Sequence, residues 1–211
     1  MSEEFGPVRW LDWDCVQFER GMNLPHFEQV GAIYFVTFRL WDSLPAEVYQ
    51  KVCAAREGWL GNNPPPYTPG QELELKRVYS LPLERYLDEG HGRCILRDEG
   101  LRDELVDIML CFDGEAYEVG EFVVMPNHVH LLMRSGRKTT MRRVCRRWKN
   151  LSAKAINQTL GRRGRVWQSE GFDHIIRSRA KLEQCRQYIR DNPRHLGAGE
   201  FTLGGGRLSA E

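Results

Sequence analysis

The chain has 211 residues, 41% hydrophobic and 28% charged, a balance ordinary for one globular domain with a real core. No apolar run approaches the ~20 residues of a membrane span. Met1-Ser2-Glu3-Glu4 lacks the basic-then-apolar layout of a secretion signal, so a cytoplasmic location and no membrane partner are expected. The net charge of +1 hides a division: residues 134–194 carry 18 Lys/Arg against 4 Asp/Glu, whereas residues 1–133 carry 11 against 23. That asymmetry points to a polyanion contacting the C-terminal part, the alternative being a basic surface neutralised by the acidic half. The six cysteines (Cys15, Cys53, Cys94, Cys111, Cys145 and Cys185) include no Cys-x-x-Cys pair, which excludes a zinc ribbon or thioredoxin-like motif and predicts free, mostly buried thiols.

Residues 1–30 hold scattered aromatics without a clean period and are expected to form an irregular arm. Residues 33–40, β-branched and aromatic, predict a strand. A helix is expected to start near Pro45 and run through Val48, Val52 and Trp59. The stretch 61–70, with Pro64-Pro65-Pro66, is a loop on composition. Helical pieces are expected at about 71–88, interrupted near Pro82, and at about 98–112, where Leu101, Leu105, Ile108, Met109 and Phe112 form a stripe. Residues 117–124 and 129–134 predict two strands with a bend at Pro126-Asn127. A long helix over 138–160 buries Met141, Val144, Trp148, Leu151 and Ala155 and carries Arg142, Arg143, Arg146, Arg147, Lys149 and Lys154 largely elsewhere. Residues 166–168 predict a short strand and 172–177 an extended piece. A final helix over about 180–191 stops near Asn192, because Pro193 disfavours helical geometry in the residue before it. The domain division expected is an arm (1–30), a catalytic domain (31–197) with a helical insertion at about 42–97, and a tail (198–211).

In a strand, His128 and His130 face the same way, with Val129 directed into the core between them. Two neutral imidazoles so placed can hold one divalent metal ion. The spacing alone leaves open a strand with two partly exposed histidines. Tyr188 and Asn192, four apart, share a helical face. Asn192 offers a hard amide oxygen to the same metal, or caps the helix before Pro193. Tyr188 is a nucleophile toward a metal-polarised phosphate, or a packing residue; its unperturbed pKa of about 10 makes it a poor nucleophile unaided. Two histidines and one amide leave about three of six octahedral positions for water and substrate. Without a carboxylate, metal affinity should be weak and phosphate-dependent, which suits Mg²⁺ or Mn²⁺.

The octapeptide Met125-Pro126-Asn127-His128-Val129-His130-Leu131-Leu132, joined with Tyr188-Ile189-x-x-Asn192-Pro193, resembles the paired signature of the REP-associated tyrosine transposases, a one-tyrosine branch of the HUH single-strand nucleases. Trp148-Lys149-Asn150, Gly164-Arg165-Val166-Trp167-Gln168, Phe172-Asp173-His174 and the strand at 34–40 extend the resemblance over about 33–197. It implies an α+β, ferredoxin-like fold with an antiparallel sheet and packed helices. By position it implies His128, His130 and Asn192 as metal ligands and Tyr188 as the nucleophile that becomes linked to a DNA 5′ end. The implied substrates are single strands with imperfect, REP-like hairpins, handled by a monomer or a homodimer. Arg142, Arg146, Arg147, Lys149, Arg162, Arg163 and Arg165 fit phosphate contacts, and Trp167 is either a base-stacking platform or a core residue. The 42–97 segment is longer than in compact relatives, and its proline loop reads as decoration. The alternatives are a non-catalytic hairpin DNA or RNA binder that keeps the fold, and a metal-dependent hydrolase using activated water.

Overall fold

The computed structural model describes residues 4–20, 25–169 and 171–210. The N-terminal segment is less irregular than expected: β1 (Gln17–Arg20) and β2 (Pro25–Glu28) pair as an antiparallel hairpin. Residues 1–3 and 21–24 of that segment lie outside the described residues.

The main sheet begins with β3 (Ile33–Arg39), all seven residues buried, as befits a strand covered on both faces. The insertion follows as α1 (Ala46–Asn62), α2 (Pro69–Leu75), a π turn (Lys76–Ser80) and α3 (Leu81–Asp88). The α-helical geometry is interrupted near Pro82, as expected: the π turn ends at Ser80, and Pro82 sits in the first turn of α3, where a proline's missing N–H is tolerated. Then come α4 (Glu99–Leu110), β4 (Tyr117–Val124), β5 (His128–Ser135), α5 (Met141–Thr159), β6 (Phe172–Ile175), α6 (Arg179–Asp191) and β7 (Thr202–Gly205). Residues 166–168 contribute only an isolated bridge, Leu40 to Trp167.

The five strands pair antiparallel in the order β6-β3-β5-β4-β7. Without β7, this is the βαββαβ arrangement of a ferredoxin-like fold, and the chain is α+β as expected. The C-terminal tail therefore docks as an added edge strand. Buried Arg102 ties it to α4 by donating to Thr202 Oγ1 at 2.9 Å and to the Gly199 carbonyl at 2.6 Å.

The pleat sorts each strand between two cores. Tyr34, Val36, Phe38, Val129, Leu131 and Met133 meet α4 and α5 on one face. Ile33, Phe35, Val123 and Leu132 meet Ile189, Cys185 and Leu182 of α6 on the other. Leu151 is 44% exposed, and the buried stripe of α5 runs instead through Cys145, Trp148, Ser152 and Ile156. The 3.6-residue period drifts, so a stripe counted in strict sevens and threes turns off the core by the third turn. Thr140 caps α5 by accepting from the Arg143 amide, and Ser178 caps α6 by accepting from Lys181. Of the six free thiols, Cys94, Cys145 and Cys185 are buried, while Cys15 and Cys111 are exposed. Among the described residues no helix is long and apolar enough to cross a membrane.

Candidate active site

On β5, His128 and His130 are both fully buried on the α6 face, with ring centroids 4.6 Å apart, and Val129 points into the opposite core. Their cross-strand partners on β3 are Arg39 and Thr37. The hydrogen bonds around them set the tautomers. The Asn127 amide nitrogen donates to the Leu87 and His91 carbonyls, both at 3.2 Å. Its Oδ1 is thereby turned toward His128 Nδ1, 2.7 Å away, and accepts that N–H. His128 Nε2 is left with a free lone pair and has no partner. Thr37 Oγ1 lies 2.7 Å from His130 Nδ1, and the same tautomer there turns His130 Nε2 toward Tyr188. A second partner that fixes the ring and its tautomer is what a metal-ligating imidazole requires. Sequence reasoning passed over both partners. A signal was available for Asn127, which abuts the first histidine; Thr37 is placed only by the register of β3 against β5.

From the other side, α6 brings Tyr188 over the pair. Its hydroxyl lies 3.4 Å from His130 Nε2, with ring centroids 5.2 Å apart. Phe35 is the shared floor, with ring centroids 5.5 Å from His130, 5.8 Å from Tyr188 and 5.3 Å from His174 of β6. The α-helix ends near Asn192 as expected but not for the expected reason: Asn192 keeps helical dihedrals (φ −54°, ψ −43°) before Pro193, and the chain tightens into the 3₁₀ turn Asn192–His195, which carries the proline in its first positions. Asn192 Oδ1 is buried, lies close enough to His128 and Tyr188 to bias both, and makes no hydrogen bond. Two acceptors without a partner, His128 Nε2 and Asn192 Oδ1, thus stand beside a third, His130 Nε2, whose lone pair faces the Tyr188 hydroxyl. That donor set fits a hard divalent cation. No third His, Cys, Asp or Glu joins the histidines among the described residues.

Burial sets the electrostatics. Desolvation pulls His128 down to about 3, with a smaller opposing pull from Asn192. It also holds His130 well below the ordinary histidine range, helped by His128. Both are neutral, as ligands must be. The Tyr188 phenol is pushed well above its ordinary value by burial, then by Glu84 and Asp88 of α3. Those carboxyls are themselves raised by burial. The insertion is therefore not decoration around the site: α3 supplies the acidic neighbours of the nucleophile, and its Leu87 carbonyl anchors Asn127.

The basic residues lie on the other side of the sheet. Arg142, Arg143, Arg146 and Lys149 of α5 line a cavity of about 340 Å³ with Val36, Phe38 and Asp173. Arg146, Arg163 and Arg165 are exposed. Arg147 stacks over Phe112 at 4.6 Å, Arg162 donates to Asn157 at 3.2 Å, and Lys149 donates to the carbonyls of Gln168 and Ser169. Trp167 is a core residue, not a stacking platform. It is 6% exposed, its Nε1 donates to Ser152 at 2.8 Å, and it meets Phe38 edge-on. The two faces meet at β6: Asp173 lines the basic cavity, and its neighbour His174 packs against Phe35 on the tyrosine side.

Residues 93–192 match the family model of IS200-like transposases. That segment contains both histidines, Asn192 and Tyr188, the residues on which the resemblance in the sequence rests. No curated relative matches the chain. Among solved structures the chain is similar to a REP-associated tyrosine transposase bound to a REP hairpin, at 16% identity over 78% of this chain and 68% of that one, with a TM-score of 0.38. It is also similar to a crystal structure described as a transposase from Deinococcus radiodurans R1, at 17% identity over 82% and 97%, with a TM-score of 0.35.

Proposed function

We propose that this chain, whose residues 93–192 match the family model of IS200-like transposases, cleaves and rejoins single-stranded DNA through a covalent link to Tyr188. One observation carries the reading. The Tyr188 hydroxyl is held 3.4 Å from His130 Nε2, beside the orphaned lone pairs of His128 Nε2 and Asn192 Oδ1.

The phenol oxygen attacks the scissile phosphorus and forms a P–O bond while its proton leaves to solvent. The bond from phosphorus to the 3′ oxygen breaks, and that oxygen keeps the electron pair and takes a proton. The products are a 5′ phosphate on Tyr188 and a free 3′-OH. Attack by another strand's 3′-OH reverses the sequence and frees the tyrosine. A divalent cation, Mg²⁺ or Mn²⁺, held by His128, His130 and Asn192, would neutralise charge on the scissile phosphate and make its phosphorus more electrophilic. The chain's own contribution is orientation. Thr37 and Asn127 fix the imidazoles, and Phe35 holds the tyrosine ring against them. Burial and the carboxyls of α3 keep the phenol protonated, so it waits for a positively neutralised phosphate.

The single strand reaches this face from the basic side. Arg142, Arg143, Arg146, Arg163 and Arg165 are suited to the phosphates of a hairpin, and the short edge strand β6 is the narrowest route between the two faces. Because Tyr188 meets histidines of its own chain, a monomer suffices for the chemistry.

Incubation with hairpin-containing single-stranded DNA and Mn²⁺ should give a protein–DNA adduct that survives denaturation, and Tyr188→Phe should give none. Free 5′ ends with multiple turnover would instead mark a hydrolase using water. Salt-dependent binding without cleavage would mark a non-catalytic binder.

A further inference from the structure

Four arginines lie at the bottom of the buried polar set, and they divide into two kinds. Arg102 is fully engaged: besides its bonds to the tail it donates to the Leu96 and Arg97 carbonyls, both at 2.8 Å. Arg134 is paired with Glu118. Arg39 and Arg56 are 3% and 7% exposed, yet Nε and Nη2 of Arg39 and Nε and Nη1 of Arg56 have no hydrogen-bond partner. Neither forms a salt bridge among the described residues. A buried guanidinium without an anion costs several kcal/mol, so a fold that keeps two needs a reason.

Their placement supplies one. Arg39 ends β3 directly opposite His128. Arg56 lies on the inward stripe of α1, between Val52 and Trp59, the other buried residues of that helix. Each cation sits over a tyrosine ring, Arg39 over Tyr49 at 4.6 Å and Arg56 over Tyr79 at 4.9 Å. Both act electrostatically on the same two groups, Cys53 and Tyr79, so the two guanidinia lie near one another beneath the insertion. The remaining unsatisfied atoms of this region are the Tyr79 hydroxyl and Trp59 Nε1, which also donate. The insertion thus encloses several buried hydrogen-bond donors that lack a partner, beside the first metal-ligand histidine. Planar guanidinia are matched to phosphate by two parallel N–H bonds.

We propose that Arg39 and Arg56 form a phosphate subsite, roofed by the insertion, that holds a backbone phosphodiester of the DNA strand next to the one being cleaved. The proposal rests on the strand-cleavage reading for the identity of its ligand, while the presence of an anion site does not depend on it. Arg39 and Arg56 are positioning residues here: they fix the strand so that the neighbouring phosphate meets Tyr188.

The test uses the full chain without metal. Replacing sodium chloride by sodium phosphate at equal ionic strength should raise the thermal midpoint of the wild type by several degrees, because the ligand binds only the folded state. Arg56→Met should lose that rise and be at least as stable as the wild type in chloride, since an apolar side chain replaces an unpaired buried charge. Arg56→Lys, which keeps charge without the fork, should retain only part of the rise. Phosphate raising the wild type and Arg56→Met equally, or Arg56→Met unfolding far below the wild type in chloride, overturns the subsite. The source of the phosphate is read by single neutral methylphosphonate linkages placed along a hairpin oligonucleotide. One linkage beside the cleavage position should weaken wild-type binding about tenfold and leave Arg56→Met unaffected. A phosphate-sensitive wild type indifferent to every linkage overturns the DNA assignment. If Tyr188→Phe still forms adducts while the phosphate shift persists, the cleavage reading alone falls.

Discussion

The Tyr188 hydroxyl meets Nε2 of His130 at 3.4 Å across 58 residues of sequence. Phe35 lies edge-on to the tyrosine ring and stacked on the imidazole. The contact ties the last helix to the central hairpin and fixes where a nucleophile stands relative to a pair of neutral imidazoles. Phe in place of Tyr188 keeps the ring on Phe35 and removes only the oxygen. Tyr188→Phe should therefore leave the thermal midpoint within a few degrees of wild type, retain hairpin binding within about threefold, and abolish the adduct. Binding isotherms and unfolding curves of the same preparation check this. A loss of binding comparable to the loss of cleavage would assign Tyr188 to packing.

The histidines' partners should matter nearly as much as the histidines. Thr37→Val is close to isosteric and removes only the oxygen 2.7 Å from His130 Nδ1. Asn127→Ala removes the acceptor for His128, leaving its buried Nδ1–H unsatisfied, and takes one of the donors from the Leu87 and His91 carbonyls. Loss of such partners typically lowers metal affinity by about 10–100-fold. Calorimetric titration of Mn²⁺ in the presence of uncleavable DNA should show that drop for both variants. Asn127→Ala should also lose about 1–3 kcal/mol of stability, the cost of unsatisfied buried groups, and Thr37→Val less.

Acid should unfold the metal-free protein through its histidines. Burial, the largest cause for each, holds His128 and His174 at about 3 and His130 well below the ordinary value. The unfolded chain titrates near 6.5. Between those values the unfolded chain binds protons that the folded chain refuses, so the stabilisation is complete above about pH 6.5 and is lost as pH falls toward the folded values. Each histidine contributes a slope of about 1.4 kcal/mol per pH unit in that window. Glu84 and Asp88, raised by burial, offset part of it at the acid end. Urea midpoints in EDTA should fall steeply from pH 6.5 to 4.5, and His174→Phe should remove about a third of the slope. A flat profile would mean that the three rings are hydrated.

Contacts with DNA should divide by exposure, not by charge alone. Replacing Arg146, Arg163 or Arg165 by Gln should weaken binding to all single strands alike and lower the salt slope by about 0.7 each. Trp167→Phe should leave both affinity and salt slope unchanged. It should lose about 1 kcal/mol of stability with its hydrogen bond to Ser152. Anisotropy titrations at several salt concentrations separate the two behaviours.

Much of this was legible in the sequence because it rests on local rules. The alternation that turns Val129 into the core and both histidines to one face is a property of any strand, and the four-residue step from Tyr188 to Asn192 is a property of any helix. The end of α6 near Asn192 was legible from Pro193, though Asn192 itself stays helical and a 3₁₀ turn runs through the proline. What was not legible depends on register and on the second layer. Nothing local to Thr37 says that it will stand opposite His130, since pairing is set by the whole hairpin. Arg56 looks like any helical arginine until Val52 and Trp59 are seen to turn the same stripe inward. Trp167 was ambiguous because a tryptophan just after an arginine-rich turn suits DNA or a core equally well, and its partner Ser152 is a small residue without a signal of its own. The role of α3 was illegible for the same reason. Composition shows a proline loop in the insertion, but not that α3 comes to lie beside the tyrosine.

The most direct measurement is peptide mapping of the covalent adduct. After reaction with a hairpin oligonucleotide and Mn²⁺, digestion and mass spectrometry should place the nucleotide-bearing 5′ phosphate on the peptide containing Tyr188, and only in protein with both His128 and His130 intact. A phosphate linked to another tyrosine, or an adduct of undiminished yield in His130→Ala, would contradict the account.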